Sequence, residues 1–199
     1  MLASRVAMDP LACVLETPRL LLSVPGPDFA PRFAAFYRHN REHLATWDPP
    51  YPPQFYTEEH WRTKLADEQA NYLAGTQLRL VLLARAAPDE PLVGFCNFSQ
   101  IVRKAFQACY LGYSLDKQAV GRGLMSEGLA EAIAYVFGTL GLHRIMANYL
   151  PTNVRSGRLL RRLGFVVEGY ARNYLFIDGQ WRDHILTSLT NPAPADPQL

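Results

Sequence analysis

The sequence predicts an α+β fold built on a mixed central sheet. Three observations point there. Segments of period two and segments of period 3.6 follow one another as β-α-α-β-β-β-α-β-α-β-β, so hairpins and helical crossovers are both needed. Nine of the fifteen prolines precede Gln54 and none lies between Leu92 and Leu150, which concentrates regular structure in the middle of the chain. The most regular stretch, residues 122–139, carries Met125, Leu129, Ala132, Ile133, Val136 and Phe137, continued by Leu140, on one helical face.

The elements follow in order. A first strand is expected over residues 19–24, an apolar run after Pro18. Asp28 can cap a helix reaching Leu44, because Phe29, Phe33, Phe36 and Tyr37 recur at helical spacing. Residues 48–56 (DPPYPPQFY) are neither helix nor central strand, since four prolines break both. Thr57 can cap a second helix ending near Gly75. Strands are expected at 78–86, 92–102 and 106–115, then the amphipathic helix, stopped by Gly141. A strand at 143–150 ends before Pro151, and Asn153 opens a short helix that Gly164 closes. Residues 165–190 read as a hairpin around the turn Asp178-Gly179.

At 199 residues one domain over 15–191 is expected, with a flexible N-terminus at 1–14 and a proline-bearing tail at 192–199. The net charge of +2 is too small for a general nucleic-acid binder, and no apolar run suits a membrane span. Cys13, Cys96 and Cys109 are few, odd in number and widely spaced, which reads as reduced thiols in a cytoplasmic protein; no signal peptide is recognisable. His39 and His43 have a metal-compatible spacing but lack a third ligand, so no metal is expected.

The most informative segment is CYLGYSLDKQAVGRGLMSEGL, residues 109–129. A strand, a glycine-bearing loop and a helix start follow one another. The first turn of a helix leaves backbone N–H groups unsatisfied and partly positive, and glycines let an anion reach them. A plain glycine-rich turn fits the same letters. A Walker A loop is absent, and Gly121-x-Gly123-x-x-Ser126 lacks the third glycine of the dinucleotide fingerprint.

Gln118-Ala-Val-Gly121-Arg122-Gly123 resembles the Q/R-x-x-G-x-G/A pyrophosphate loop of the GCN5-related N-acetyltransferases (GNAT). Asn153-Val-Arg-Ser156, then Leu159-Leu-Arg-Arg-Leu-Gly-Phe165 and Glu168-Gly169, resemble the pattern of the ribosomal-protein N-acetyltransferase branch. The likeness spans about residues 17–192.

That resemblance implies a sheet splayed between residues 110–115 and 143–150, with acetyl-CoA as co-substrate in the gap. The strand edge at Tyr113, Ser114 and Leu115 would meet the pantetheine amides and polarise the thioester carbonyl. The amides of Val120, Gly121, Arg122, Gly123 and Leu124, beside Gln118, would hold the pyrophosphate. Asn153 would bond the pantetheine arm, Arg158 would meet the nucleotide's 3′-phosphate, and Ser156 would return a proton to the leaving thiolate. Glu168 or Tyr174 would act as base through water. Apart from the resemblance, Trp47, Tyr51, Phe55 and Tyr56 around the proline loop could form an acceptor wall.

Blander readings stand beside these. Asn153 and Ser156 suit a helix cap, the arginine face of residues 155–162 suits solvent, Glu168 suits an ion pair, and the aromatics around the proline loop suit a packed anchor.

The implied acceptor is a protein N-terminal α-amine, with alanine on a small-subunit ribosomal protein as the expected substrate. Amine acidity favours it: near neutral pH an α-amine of pKa about 7.7–8.0 offers roughly a 200-fold larger neutral fraction than a lysine of about 10.4. A small-molecule amine or aminoglycoside acetyltransferase and a non-catalytic acyl-CoA-binding module are the competing functions. The letters leave the oligomeric state open.

Overall fold

The computed structural model describes residues 14–193. The expected N-terminal segment, apart from Val14, and most of the expected tail therefore lie outside the described residues, as does Cys13. Among the described residues eight strands form one sheet: β1 (Val14–Glu16), β2 (Leu20–Ser23), β3 (Leu78–Ala84), β4 (Gly94–Val102), β5 (Ala108–Leu115), β6 (Arg144–Tyr149), β7 (Val166–Ile177) and β8 (Gln180–Thr190). Five α-helices within the same described residues accompany them: α1 (Ala30–His39), α2 (Arg41–Ala45), α3 (Glu58–Leu73), α4 (Leu124–Gly138) and α5 (Val154–Arg162). The strand order is β1-β2-β3-β4-β5-β6-β8-β7, antiparallel throughout except for the β5–β6 pair.

Alternation along the strands builds two cores. Leu78, Leu80 and Leu82 of β3 and Cys96 and Phe98 of β4 face α4 and α5. Val81, Leu83 and Phe95 point the other way, onto Phe33, Phe36 and Tyr37 of α1 and Trp61 and Leu65 of α3. This second core is aromatic: Phe33 and Tyr37 both stack on Trp61, with centroids 4.7 and 5.0 Å away. Within it Arg79 of β3 is buried over the Phe95 ring, and Glu68 of α3 accepts from its Nη2 at 2.9 Å.

Beyond shifts of one or two residues at element ends, two features differ from expectation. The strand β1 pairs with β2, although residues 14–16 are too short to show a period. The helix expected over 28–44 breaks at Asn40, which takes φ −101° and ψ 10°. The Asn40 side chain is buried, donating to Phe36 O and Asp116 and accepting from the Lys117 amide. That side chain ties the helix break to the loop after β5.

Candidate active site

The β5–β6 pair holds for only three rungs: Ala108 with Arg144, Cys109 with Ile145, and Tyr110 with Met146. Beyond Tyr110 the strands part. The gap opens into a cleft of about 650 Å³, within the range of ligand sites. It is lined from both faces of the sheet: Leu111, Tyr113 and Leu115 belong to one face, Gly112 and Ser114 to the other. The opening therefore passes through the sheet. α4 and α5 border it on one side, and α1, α2 and the proline loop on the other.

The glycine loop enters α4 as the sequence suggested, two residues later than expected. Gly121 has φ +84° and Gly123 has φ +75°, both left-handed, a region that a side chain disfavours. A Cβ at Gly121 would meet nothing within 4 Å, so the loop faces open space. The Glu127 amide donates to Gly123 O at 3.1 Å, and the amides before it precede the first α-helical bond. Val120 reaches the cleft lining. The Gln118 amide donates to Asp116 Oδ1 at 2.8 Å, which shapes the turn leading in.

A clamp that the sequence did not reveal fixes this loop. Arg19, at the start of β2, donates to the Arg122 carbonyl at 2.9 Å and to Glu127 Oε2 at 2.6 Å. Thr17 donates to Glu127 Oε1 at 2.6 Å. Burial acts to raise the Glu127 pKa, but bonds from Thr17 and Arg19 and the Arg19 charge outweigh it and hold the carboxyl below its usual value. No local pattern could show this clamp, because more than a hundred residues separate the partners.

On α5, the Asn153 side chain accepts from the Ser156 amide at 3.1 Å, so it is a helix cap that also lines the cleft. The Ser156 hydroxyl lies 2.7 Å from the Tyr113 hydroxyl. Burial pushes Tyr113 up to about 12, with the Ser156 bond opposing it. Tyr113 thus brings a side-chain hydroxyl where only its strand edge was expected. Arg158 is exposed and outside the cleft lining, whereas Arg155 lines it. Burial and the Arg155 charge lower the pKa of His43 on the opposite wall.

The two expected bases are placed differently. Glu168 forms an ion pair with Arg144 away from the cleft lining. Hydrogen bonds from Arg144 and Ser188 hold its carboxyl low. This is a correction to its expected role, because a carboxylate satisfied by a neighbouring guanidinium is a poor proton acceptor. The Tyr174 hydroxyl accepts from Asn148 Nδ2 at 3.2 Å, and its ring lies 5.5 Å from His184. Asn148 and the buried His184 line the cleft while Tyr174 stands behind them. Cys109 is a core thiol that burial pushes up to about 12, so it is no nucleophile.

The acceptor wall divides. Trp47 and Tyr51 line the cleft, together with Asp48 and Tyr37. Tyr56 lines an adjoining pocket of about 220 Å³, with Arg41 4.7 Å over its ring. Phe55 is the loop's anchor: it is buried, stacks on Tyr51 at 3.7 Å, and its carbonyl accepts from Trp61 Nε1 at 2.8 Å.

An opening through the sheet, amides at the α4 entrance and free space at Gly121 together fit an extended ligand bearing a diphosphate, such as acetyl-CoA. Val120–Leu124 amides would hold the diphosphate, and β5 beyond Tyr110 would face the pantetheine arm. No helix among the described residues is long and apolar enough to cross a membrane.

Comparison with known proteins agrees with this geometry. Residues 19–166 match the family described as acetyltransferase (GNAT) domain. The chain is 45% identical over 179 residues to the [ribosomal protein uS5]-alanine N-acetyltransferase of Escherichia coli, covering 89% of this chain and 91% of that protein. A crystal structure of ribosomal-protein-S5-alanine acetyltransferase from Vibrio fischeri superposes with a TM-score of 0.87 at 34% identity, over 92% of this chain and 98% of that one. Mycobacterium smegmatis RimJ in complex with CoA-disulfide gives 0.80 at 25% identity, over 88% and 85%. The sheet, the glycine loop and these likenesses agree: the chain belongs to the GNAT acetyltransferase family.

Proposed function

We propose that this protein acetylates a protein N-terminal α-amine, with the N-terminal alanine of ribosomal protein uS5 as its substrate. The observation that carries the reading is the parting of β5 and β6 after Tyr110, which opens the sheet to both faces. A thioester approaching from the α4–α5 side then meets an amine approaching from the α1–α2 side. The 45% identity to the E. coli enzyme over nearly the whole chain supports the alanine and the ribosomal protein as the acceptor. This reading implies a cytoplasmic protein.

Acetyl-CoA supplies an activated acetyl group, and the amine nitrogen attacks its carbonyl carbon directly as the carbon–sulfur bond breaks. The chain's own groups orient and discharge that step. Amides along the open edge of β5 polarise the carbonyl, as oxyanion donors do. The Ser156 hydroxyl, bonded to Tyr113, is the proton donor beside the leaving sulfur. Asn153 stays fixed by its cap bond, which leaves its amide nitrogen for the pantetheine. Trp47 and Tyr51 wall the acceptor side.

The test is an acetylation assay on peptides with the uS5 N-terminus. Turnover with free alanine, and none with the same peptide already capped, is the expected result. No turnover with any N-terminal peptide beside fast turnover of small amines would overturn the substrate assignment.

A further inference from the structure

The structure points to a proton acceptor in the acceptor half of the cleft. We propose that Asp48 receives the incoming α-ammonium at the joint of two cavities and takes one proton from it. The inference rests on the amine-acetylating reading above.

Placement comes first. Tyr37, Leu44, Asp48 and Tyr51 line both the main cleft and the adjoining pocket. That pocket opens beside Arg41, Tyr56 and the hairpin tip at Asp178 and Gly179. A chain-like acceptor entering there passes Asp48 before reaching the gap between β5 and β6. Among the described residues, Asp48 is also the one carboxylate in the cleft lining.

Its partners come second. Asp48 is half-buried, and its hydrogen bond is from the Tyr51 hydroxyl, at 3.3 Å. Among the described residues no lysine or arginine forms an ion pair with it, although six pairs of lysine or arginine with other carboxylates do form. A carboxylate removed from water without a cation carries an uncompensated desolvation cost, which a cationic ligand relieves.

The other charged and titratable groups around it are committed elsewhere or differ in kind. Tyr37 of α1 and Tyr51 and Tyr56 of the loop are phenols. Arg41 of α2 lies over the Tyr56 ring, and Arg79 of β3 is bonded to Glu68. His43 of α2 lies near the Arg155 charge. His184 of β8 donates from Nδ1 to the Arg182 carbonyl at 3.1 Å, and Asp178 lies 3.6 Å from Arg182.

The chemistry comes third. Burial pushes Asp48 up to about 6, with the Tyr51 bond opposing it. An α-ammonium has a reference pKa of about 7.7–8.0, so the two groups are within about two units. Exclusion of water disfavours both charges, which raises the acid, lowers the amine and favours the neutral pair. One proton passes from the ammonium nitrogen to Asp48 Oδ. The neutral amine then forms the new N–C bond and the C–S bond breaks. The second proton lost from nitrogen balances the one that the thiolate gains, and Asp48 releases its own to solvent.

The experiment compares wild type with Asp48→Asn on an alanine N-terminal peptide from pH 6 to 9.5, with acetyl-CoA affinity titrated separately. The expected loss in kcat/KM at pH 7 is about 100-fold, the lower end for a general base. It shrinks at high pH, where the free amine is already neutral, while acetyl-CoA affinity stays unchanged. Tyr51→Phe removes a bond that holds the carboxyl down, so it moves the acid limb of the profile to higher pH. A loss under about threefold at pH 7, or a loss equal at every pH, overturns the proposal, as does a fall in acetyl-CoA affinity that accounts for the loss. If wild type acetylates only small amines, the substrate reading fails, and the same comparison on such an amine still decides the role of Asp48.

Discussion

The Tyr113 and Ser156 hydroxyls lie 2.7 Å apart, joining β5 to α5 across the cleft. Each comes from a different core-facing element, and neither side chain can turn away without breaking the bond. Ser156→Ala should lower kcat by about 100-fold with acetyl-CoA affinity near wild type, as for loss of a proton donor. Tyr113→Phe should lower it less. The double variant should fall short of the product of the two, because hydroxyls acting as a unit are not additive. Steady-state kinetics with a separate cofactor titration checks this.

At Gly121 the backbone is left-handed, and a Cβ there would touch no protein atom. Gly121→Val therefore costs about 1–2 kcal/mol in backbone strain and also places a side chain where the diphosphate would approach. Acetyl-CoA affinity should fall at least about tenfold while the fold persists. An unchanged dissociation constant in a calorimetric titration would refute the cradle.

Glu127 links stability to pH. Its folded pKa lies below the unfolded value, so its contribution is present above about pH 4.3 and is lost as the pH falls through the folded value. Arg19 is half exposed, which weakens its share by solvent screening. Glu127→Gln should cost about 1–2 kcal/mol at neutral pH. The gap in Tm between variant and wild type should narrow below about pH 4. A gap constant from about pH 7 to pH 3 would contradict the linkage.

Glu68→Ala would leave Arg79 buried between aromatic rings without its carboxylate. Stranding one partner of a buried pair costs about 3–5 kcal/mol. Urea denaturation should show that loss, and a change below about 1 kcal/mol would mean that Arg79 finds water or another acceptor.

Local chemistry made much of this protein legible from its letters. Period-two and period-3.6 runs placed the main strands and helices, because burial of one face repeats within a few residues. Thr57 and Asn153 announced their helices, since a cap bond reaches only three residues along the chain. Gly121 and Gly123 marked the loop, since a left-handed backbone selects glycine. Tertiary structure decided the rest. It limited β5 and β6 to three rungs, put Tyr113 against Ser156, gave Glu168 to Arg144, clamped Glu127 with Arg19, and left Asp48 at the cleft with no ion pair among the described residues. The physical reason is range: a period or a cap is set by near neighbours in sequence, whereas desolvation and pairing depend on which distant groups the folded sheet brings within a few ångströms.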